Sequence, residues 1–441
     1  MNPKPEVTPK RVQSVGTKAP VEGAASRKAV LVGTFGNIME WYDWAVYGYF
    51  APVISKLFFP AGDRIASLLM TFAVFAIGFV FRPLGALFFG SVSDRLGRKT
   101  SLMFTIFLMG MATFMIGVLP TYAQIGIWAP VLLILARLLQ GLSAGGEWGS
   151  STSFIVEYAP RGKRGLAGSW LEFGSGVSLL LGSLIAAWLN STLSEQALYN
   201  WGWRLPFIGG VLVGIVGWYL RVRMKDTPFF EGLKRADEVP KRPLIDAFRK
   251  YPLQLLKTIG FTMHWTVSYY LLLTYMPTYL SEVLKLPLST GLIVNSVMLA
   301  FFSLLIPLVG WLSDRYGRKP LLLGSSVGLA VTVYSLFHLM DDGMTMLLVS
   351  QLLLAVFCAL YNGPAPTTLA EMFPTKVRAS ALSVGYNVAV ATFGGTAPFV
   401  ATYLVSLTHN PLAPTFYVIG SALVTTLVLL RIKETYQVDL E

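Results

Sequence analysis

Long apolar stretches alternate with short polar turns along most of this chain. Twelve of these stretches are about 20 residues or longer, the length that an α-helix needs to cross the hydrocarbon core of a bilayer. Backbone polar groups in hydrocarbon must bond to one another, so each stretch is predicted to be a helix. The predicted stretches are residues 29–52, 65–90, 99–119, 130–157, 164–189, 204–223, 252–280, 289–312, 320–340, 345–372, 378–407 and 412–431.

The composition supports a membrane protein. Of the 441 residues, 54% are hydrophobic and 13% are charged, and the mean hydropathy is +0.59. A soluble protein has about 25% charged residues, because apolar area exposed to water is costly. The single cysteine, Cys358, excludes a disulfide framework and a multi-thiol metal site. We expect no metal and no cofactor.

The net charge of +12 is interpreted as an orientation signal. Most Lys and Arg fall in the two termini and in alternate turns, which lie on one side of a twelve-helix protein. Only Lys56, Arg64, Arg204 and Lys285 fall on the opposite side. The positive-inside rule then predicts that both termini are cytoplasmic. The basic excess therefore needs no nucleic-acid partner to explain it.

Two motifs occur twice in the chain, once in each half. Residues 90–99 read GSVSDRLGRK, and residues 310–319 read GWLSDRYGRK. Residues 157–164 read EYAPRGKR, and residues 371–378 read EMFPTKVR. A repeat over this distance indicates duplication of a larger structural unit.

This repeat predicts an all-α membrane protein with twelve transmembrane helices in two pseudo-symmetric six-helix bundles. A duplicated bundle with a site between its halves is the plan of a transporter. The predicted segments are a disordered tail at 1–28, bundles at 29–223 and 252–431, a central loop at 224–251 and a short tail at 432–441.

The repeated turns are candidate gates between the halves. Asp94 and Asp314 each end a helix and are followed by a glycine turn and cations. A carboxylate there can face the positive N-terminus of a neighbouring helix and pair with arginine. The alternative is an ordinary basic turn, but two copies at matching places favour the gate. The candidate gating residues are Gly90, Asp94, Arg95, Arg98, Asp314, Arg315, Arg318, Glu157, Arg164, Glu371 and Arg378.

The pattern G-x-x-x-D-R-x-G-R-K in both halves resembles the signature of the major facilitator superfamily. Further segments resemble its metabolite:proton symporter family, whose members carry α-ketoglutarate, citrate, shikimate, or proline and betaine with protons. The resemblance implies gradient-driven transport but does not choose the substrate. Those segments are residues 36–43, 78–85, 137–147, 201–207, 269–277, 385–387 and 393–398.

Ionisable residues inside the predicted spans are candidates for the transport chemistry, because charge in a bilayer is costly and usually functional. Glu40 and Asp43 lie one turn apart on the first span, Arg82 lies on the second and Arg137 on the fourth. We hypothesise that Arg137 pairs with Glu40 or Asp43 until a substrate carboxylate displaces that acid, which then accepts a proton. Sugar porters have a comparable pair, so the hypothesis is partly an analogy. Static pairs that hold helices together are the alternative.

The candidate site residues form two groups. Asp43, Glu40 and Glu147 are assigned to proton coupling. For Glu172 on the fifth span we favour a structural role. Several aromatic residues could cage a quaternary ammonium, although packing explains most of them. The residues assigned to substrate binding are Arg137, Arg82, Asn37, Gln140, Tyr270 and Asn387.

No nucleotide-binding, metalloprotease or Ser-His-acid motif occurs, so a pump and an enzyme are not expected. Two buried arginines favour an anion. We therefore predict a proton-coupled symporter of the cell membrane, a monomer that imports a small organic carboxylate such as α-ketoglutarate or citrate. The alternative is uptake of proline or glycine betaine, because residues 168–174 and 269–275 resemble that branch. A proton-antiport exporter is less expected, since residues 174–178 lack a Gly-Pro pair.

Overall fold

The computed structural model describes residues 34, 37–38, 40–96, 98–145, 147–222, 249–374, 378–437 and 440. The predicted tail at 1–28 and residues 224–248 of the predicted central loop lie outside the described residues. The described part of the chain consists of helices and turns and contains no strand.

Twelve long helices, several of them interrupted, follow one another along the described ranges, with the short helices Tyr122–Ile125 and Glu195–Asn200 in the connections. Each predicted apolar stretch overlaps one of the twelve long helices within the residues described. The helices are α1 (40–49 and Ala51–Phe58), α2 (Arg64–Val80 and Arg82–Leu96), α3 (Arg98–Val118), α4 (Trp128–Ala144 and Glu147–Tyr158), α5 (Arg164–Thr192), α6 (Leu205–Val222), α7 (Pro252–Ser268, Tyr269–Thr274 and Met276–Glu282), α8 (Leu288–Tyr316), α9 (Arg318–Leu339), α10 (Met344–Asn362 and Ala365–Glu371), α11 (Arg378–Ala389, Val390–Gly394 and Ala397–Thr408) and α12 (Ala413–Leu430).

Eight of these helices are long and apolar enough to cross a membrane by length and composition alone, within the residues described. They are α2, α4, α5 and α8 to α12. Helix α7 is divided by its central segment, and α3 contributes a shorter apolar stretch, 103–118.

The interior of this fold contains charged and polar side chains besides apolar ones, while large apolar side chains are exposed on its surface, which is the arrangement expected in a bilayer. The side chains of Arg82 and Arg137 have no exposed surface, whereas Leu304 and Val331 are 73% and 72% exposed. In lipid, an exposed apolar side chain costs nothing, while a charge needs a polar interior. The surface and the core together confirm the predicted class of all-α membrane protein.

Helices α7 and α11 each contain a short π-helical segment, Tyr269–Thr274 and Val390–Gly394. Such segments insert extra residues into a helix and are frequent at functional sites. Both segments lie in the second half of the chain and contact one another. They bring Tyr269 and Tyr270 into the middle of the molecule, where both are buried.

Helices α2 and α4 pack backbone against backbone. A Cβ added at Gly85 would collide with the carbonyl oxygen of Leu142, and one added at Gly141 would collide with the carbonyl oxygen of Gly78. Only glycine permits this approach, as in the small-residue interfaces of membrane helices.

The two halves meet along α5 and α8. Ser183 on α5 donates a hydrogen bond to the carbonyl oxygen of Leu292 over 3.1 Å, and Ser296 on α8 donates to Ser183 over 2.9 Å. Gly176 on α5 faces Ser303 with no room for a side chain. Small and hydroxyl residues therefore form this contact between the halves.

Candidate functional site

Arg82 lies at the start of the second segment of α2 and forms an ion pair with Glu40 of α1. The distance from Nη2 of Arg82 to Oε1 of Glu40 is 2.9 Å, and both side chains are buried. The guanidinium also lies 5.7–5.9 Å from the ring centres of Trp41, Trp44 and Phe79. Its Nε and Nη1 atoms have no hydrogen-bond partner within the described chain. Arg82 thus retains donors that a buried anionic group could use.

Arg137 on α4 is connected to Asp43 through two intervening side chains. Its Nη1 donates to Oε1 of Gln140 over 2.8 Å, and Nε2 of Gln140 donates to Oγ1 of Thr113 over 2.8 Å. Thr113 in turn donates to Oδ2 of Asp43 over 2.5 Å. The guanidinium lies 4.1 Å from the ring centre of Trp44. The result is a buried relay from α4 through α3 to α1.

The direct pairing of Arg137 with Glu40 or Asp43 that the sequence suggested is therefore wrong for this conformation. Among the described residues Glu40 pairs with Arg82 instead, because α2 places Arg82 beside α1. Gln140 lies one turn after Arg137 on α4 and accepts its hydrogen bond. Sequence reasoning missed Thr113, since a lone threonine in an apolar helix gives little signal.

Asn37 binds α1 to α5. Its Nδ2 atom donates to the carbonyl oxygen of Leu171 and to Oγ of Ser175, both over 2.6 Å.

Glu147, assigned to proton coupling, is buried where the second segment of α4 begins.

Tyr270 and Asn387 come from the second half and contact the first. The ring of Tyr270 lies 5.1 Å from that of Phe79, and its hydroxyl has no hydrogen-bond partner among the described residues. Asn387 on α11 donates to the carbonyl oxygen of Gly145 over 2.8 Å. These two candidate substrate-binding residues therefore lie between the halves.

An aromatic cluster lies beside this centre. Trp148 of α4 stacks on Tyr386 of α11, with ring centres 3.8 Å apart and planes 9° apart. Trp265 of α7 contacts both rings. The Nε1 atom of Trp148 lies 3.5 Å from Oε1 of Glu172 on α5, at the limit of a hydrogen bond. Glu172 thus belongs to the centre, although the sequence favoured a structural role for it.

At one end of the molecule, called the motif end here, Asp314 of α8 lies against the start of α5. Its carboxylate accepts hydrogen bonds from the backbone nitrogens of Gly165 and Leu166, each over 2.8 Å. Arg318 pairs with Asp314 at 2.8 Å and with Glu371 at 3.4 Å. Asp314 therefore joins the halves with the geometry that the repeated motif predicts.

Other candidate gating residues extend this contact or lie apart from it. Arg378 of α11 pairs with Glu157 of α4 at 2.6 Å, and Arg164 lies 3.9 Å from Glu371. Arg315 is exposed and covers the ring of Trp311 at 4.8 Å, so it does not join this contact. The surroundings of Gly90 and the side chains of Asp94, Arg95 and Arg98 lie outside the described part.

The opposite end is closed by fewer charges. Arg64 of α2 pairs with Glu282 of α7 at 2.5 Å and donates to Oγ of Ser55 over 2.8 Å. The hydroxyl of Tyr49 donates to the carbonyl oxygen of Leu273 over 3.0 Å. Contacts at both ends therefore enclose the central charges.

Comparisons with known proteins identify the family. A family model described as "Sugar (and other) transporter" matches residues 29–257 and 241–441. The fold resembles the major facilitator superfamily proton:xylose symporter XylE bound to 6-bromo-6-deoxy-D-glucose. The TM-score is 0.77 at 18% identity, over 95% of this chain and 98% of that one. The chain belongs to the major facilitator superfamily. Members of the superfamily are transporters rather than enzymes.

Within the superfamily, similar proteins are transporters of proline and betaine. The Escherichia coli K12 "Proline/betaine transporter" is 38% identical over 425 residues, which are 94% of this chain and 85% of the relative. The Salmonella typhimurium transporter of the same name is 37% identical over 432 residues, 96% and 86% of the two chains. "Glycine betaine/proline/ectoine/pipecolic acid transporter OusA" of Dickeya dadantii is 38% identical over 94% of this chain and 85% of its own.

These relatives overturn the main functional prediction, import of a di- or tricarboxylate, and favour its alternative. The prediction took two buried arginines, Arg82 and Arg137, to favour an anion. In the structure Glu40 neutralises Arg82, and Arg137 is joined to Asp43 through its relay. With Glu147 and Glu172 also buried, the described centre has more acidic than basic side chains, which does not suit a polyanion.

Proposed function

We propose that this protein is a secondary active transporter that imports proline, glycine betaine and similar zwitterions together with protons. The observation that carries the proposal is 37–38% identity with proline/betaine transporters over 94–96% of the chain. The buried central side chains support it, because two arginines and four acids offer partners to both charges of a zwitterion.

In this proposal the substrate carboxylate binds the Arg82 guanidinium, whose Nε and Nη1 donors have no partner in the described chain. A hydrogen bond from a guanidinium to a carboxylate is charge-assisted and about twice as strong as a neutral one. Tyr270 borders the same space with an unpartnered hydroxyl. Arg137, Asn37, Gln140 and Asn387 complete the proposed binding residues.

Proton coupling follows from competition for Arg82. A substrate carboxylate that binds the guanidinium weakens its bond to Glu40. A buried carboxylate that has lost its cation is unstable, so Glu40 takes up a proton. Asp43, at the end of its relay, and Glu147 are the further proposed proton sites.

Alternating access would open the two ends in turn. The contacts of Asp314 with α5, of Glu371 with Arg164 and of Arg378 with Glu157 would part at the motif end, and the Arg64–Glu282 pair at the other. We place the motif end and both termini in the cytoplasm, from the distribution of basic residues. The proposed working unit is a monomer in the cell membrane.

Uptake into proteoliposomes tests this function. With an inside-alkaline pH gradient, we expect labelled glycine betaine and proline to accumulate, and a protonophore to abolish the accumulation. Citrate and α-ketoglutarate are expected not to accumulate. The variant Arg82→Gln should lose at least 90% of uptake, while Arg431→Gln, at an exposed arginine after α12, should retain it. Zwitterion uptake that does not depend on the pH gradient would rule out proton coupling. Accumulation of citrate alone would rule out zwitterions as the substrate class.

A further inference from the structure

Glu172 is a buried acid without a cationic partner. Its residue is 2% exposed, and no ion pair to it forms within the described part of the chain. Its one hydrogen-bond contact is the Trp148 indole N–H at 3.5 Å. By contrast Glu40 is paired with Arg82, and Asp43 accepts a hydrogen bond from Thr113. A buried carboxylate needs compensation by positive charge or a proton, so Glu172 is a site at which positive charge is favoured.

Aromatic rings from both halves surround Glu172. The indole of Trp148, which contacts Glu172, stacks on Tyr386 of the other half. The indole of Trp265, also from the other half, contacts both of these rings. Parting of the halves would separate the stacked rings of Trp148 and Tyr386, and each would then present a free face. Such faces attract a quaternary ammonium.

Arg82 lies near the same aromatic cluster. Its Nη2 atom is 3.4 Å from the carbonyl oxygen of Ala144, one turn before Trp148 on α4. Its guanidinium is 5.7 Å from the ring centre of Phe79, which lies 5.1 Å from that of Tyr270. The centre therefore offers two unpartnered guanidinium donors at Arg82, Nε and Nη1, and a carboxylate beside aromatic rings at Glu172.

We infer that Glu172, Trp148 and Tyr386 form the subsite for the positively charged nitrogen of the substrate, with the substrate carboxylate on Arg82. This inference rests on the proposed function and adds the orientation of the zwitterion. The methyl groups of a quaternary ammonium meet the ring faces, and Glu172 supplies the opposite charge. The secondary amine of proline can also donate a hydrogen bond to Glu172. A dicarboxylate is rejected, because its second carboxylate would face Glu172.

A pair of probes of the same shape isolates this subsite. Glycine betaine and 3,3-dimethylbutanoate share a carboxylate and a three-methyl end, but only betaine carries a positive charge. Each would compete with labelled betaine in counterflow, an exchange that needs no proton gradient. The measured quantity is the ratio of the two inhibition constants.

For the wild type we expect betaine to be preferred at least tenfold. Glu172→Gln should raise the inhibition constant of betaine about tenfold, which corresponds to about 1.4 kcal/mol of binding free energy. The inhibition constant of 3,3-dimethylbutanoate should stay the same or fall. Glu172→Asp should restore most of the preference for betaine. Tyr386→Leu should weaken the binding of betaine more than the binding of 3,3-dimethylbutanoate. Glu195→Gln, at an exposed acid, is the control and should keep the wild-type ratio.

Binding of the uncharged-end isostere by Glu172→Gln shows that the variant is folded. A wild-type ratio in Glu172→Gln would overturn the inference, and so would an equal loss of both probes or no rescue by Glu172→Asp. These results differ from failure of the proposed function, in which the wild type itself exchanges neither betaine nor proline.

Discussion

The two ends of the molecule join the halves by different physical means. At the motif end the side chain of Asp314 is only 5% exposed and binds two backbone N–H groups of α5, and Arg378, which has no exposed surface, pairs across the halves with Glu157. At the opposite end Arg64 and Glu282 are 32% and 21% exposed. Breaking a buried pair costs about 3–5 kcal/mol, whereas an exposed pair contributes about 0–1 kcal/mol. The opposite end should therefore open more readily than the motif end.

The largest effect is expected from Asp314→Asn, which would remove the difference between the ends. The amide cannot keep both charge-assisted bonds to α5 and the pair with Arg318. We expect hydrogen exchange of the amides of Gly165 and Leu166 to rise at least tenfold, with a loss of most betaine uptake. Exchange mass spectrometry of the protein in nanodiscs measures the first effect.

Asp341→Asn is the matched control, because Asp341 is exposed in the turn between α9 and α10. It should change neither exchange at the start of α5 nor uptake. Unchanged exchange at Gly165 in Asp314→Asn would show that the motif end is held by packing rather than by this carboxylate.

A smaller effect is expected from Glu282→Gln at the opposite end. The variant removes the charge from a partly exposed pair, while Arg64 keeps its bonds to Ser55 and to the carbonyl oxygen of Pro52. We expect exchange near the start of α2 to rise two- to fivefold, with uptake reduced less than in Asp314→Asn. If Glu282→Gln raised hydrogen exchange near the start of α2 more than Asp314→Asn raises it at the start of α5, the motif end would be the one that opens more readily, contrary to the proposal.

The smallest effect concerns Glu434, which follows α12 and caps the start of α9. Its partial burial opposes ionisation, but backbone N–H groups of Tyr436, Lys319, Arg318 and Thr435 together hold its pKa below the usual range. A lowered pKa in the folded state stabilises the protein above the ordinary glutamate pKa, about 4.3. This contribution is lost as the pH falls through the lowered value.

Thermal unfolding of Glu434→Gln measures that contribution. We expect the variant to melt about 1–2 °C below the wild type at pH 7, a small shift because a surface interaction of this kind contributes about 0.5–1 kcal/mol. The two proteins should converge in acid, where Glu434 is protonated. A difference that stays constant from pH 7 to below pH 4 would assign the effect to side-chain shape instead of charge.

The fold was largely predictable because lipid imposes one simple rule on every span. An apolar stretch of bilayer length must be a helix, so each of the twelve stretches overlaps a long helix within the residues described. The interruptions were not predictable. The segments at Tyr269–Thr274 and Val390–Gly394 contain ordinary helix-compatible residues, and their extra width depends on packing between α7 and α11.

The burial of the candidate charged residues was predictable, but their pairs were not. Charge within an apolar span indicates a polar interior, and the structure buries Glu40, Asp43, Arg82 and Arg137. Their partners depend on how the helices rotate against each other, which no spacing within one helix reveals. The neighbours of Glu172 were not predictable for the same reason, since its aromatic neighbour Trp148 comes from another helix.

The backbone contact between α2 and α4 has a consequence for the movement of charge. Helices that interlock at Gly85 and Gly141 cannot slide or rotate past each other without collision. We therefore expect Arg82 and Arg137 to keep a fixed separation during the proposed transport cycle. The aromatic rings that the second half contributes, those of Tyr270 and Tyr386, would then change their distance from both guanidinium groups.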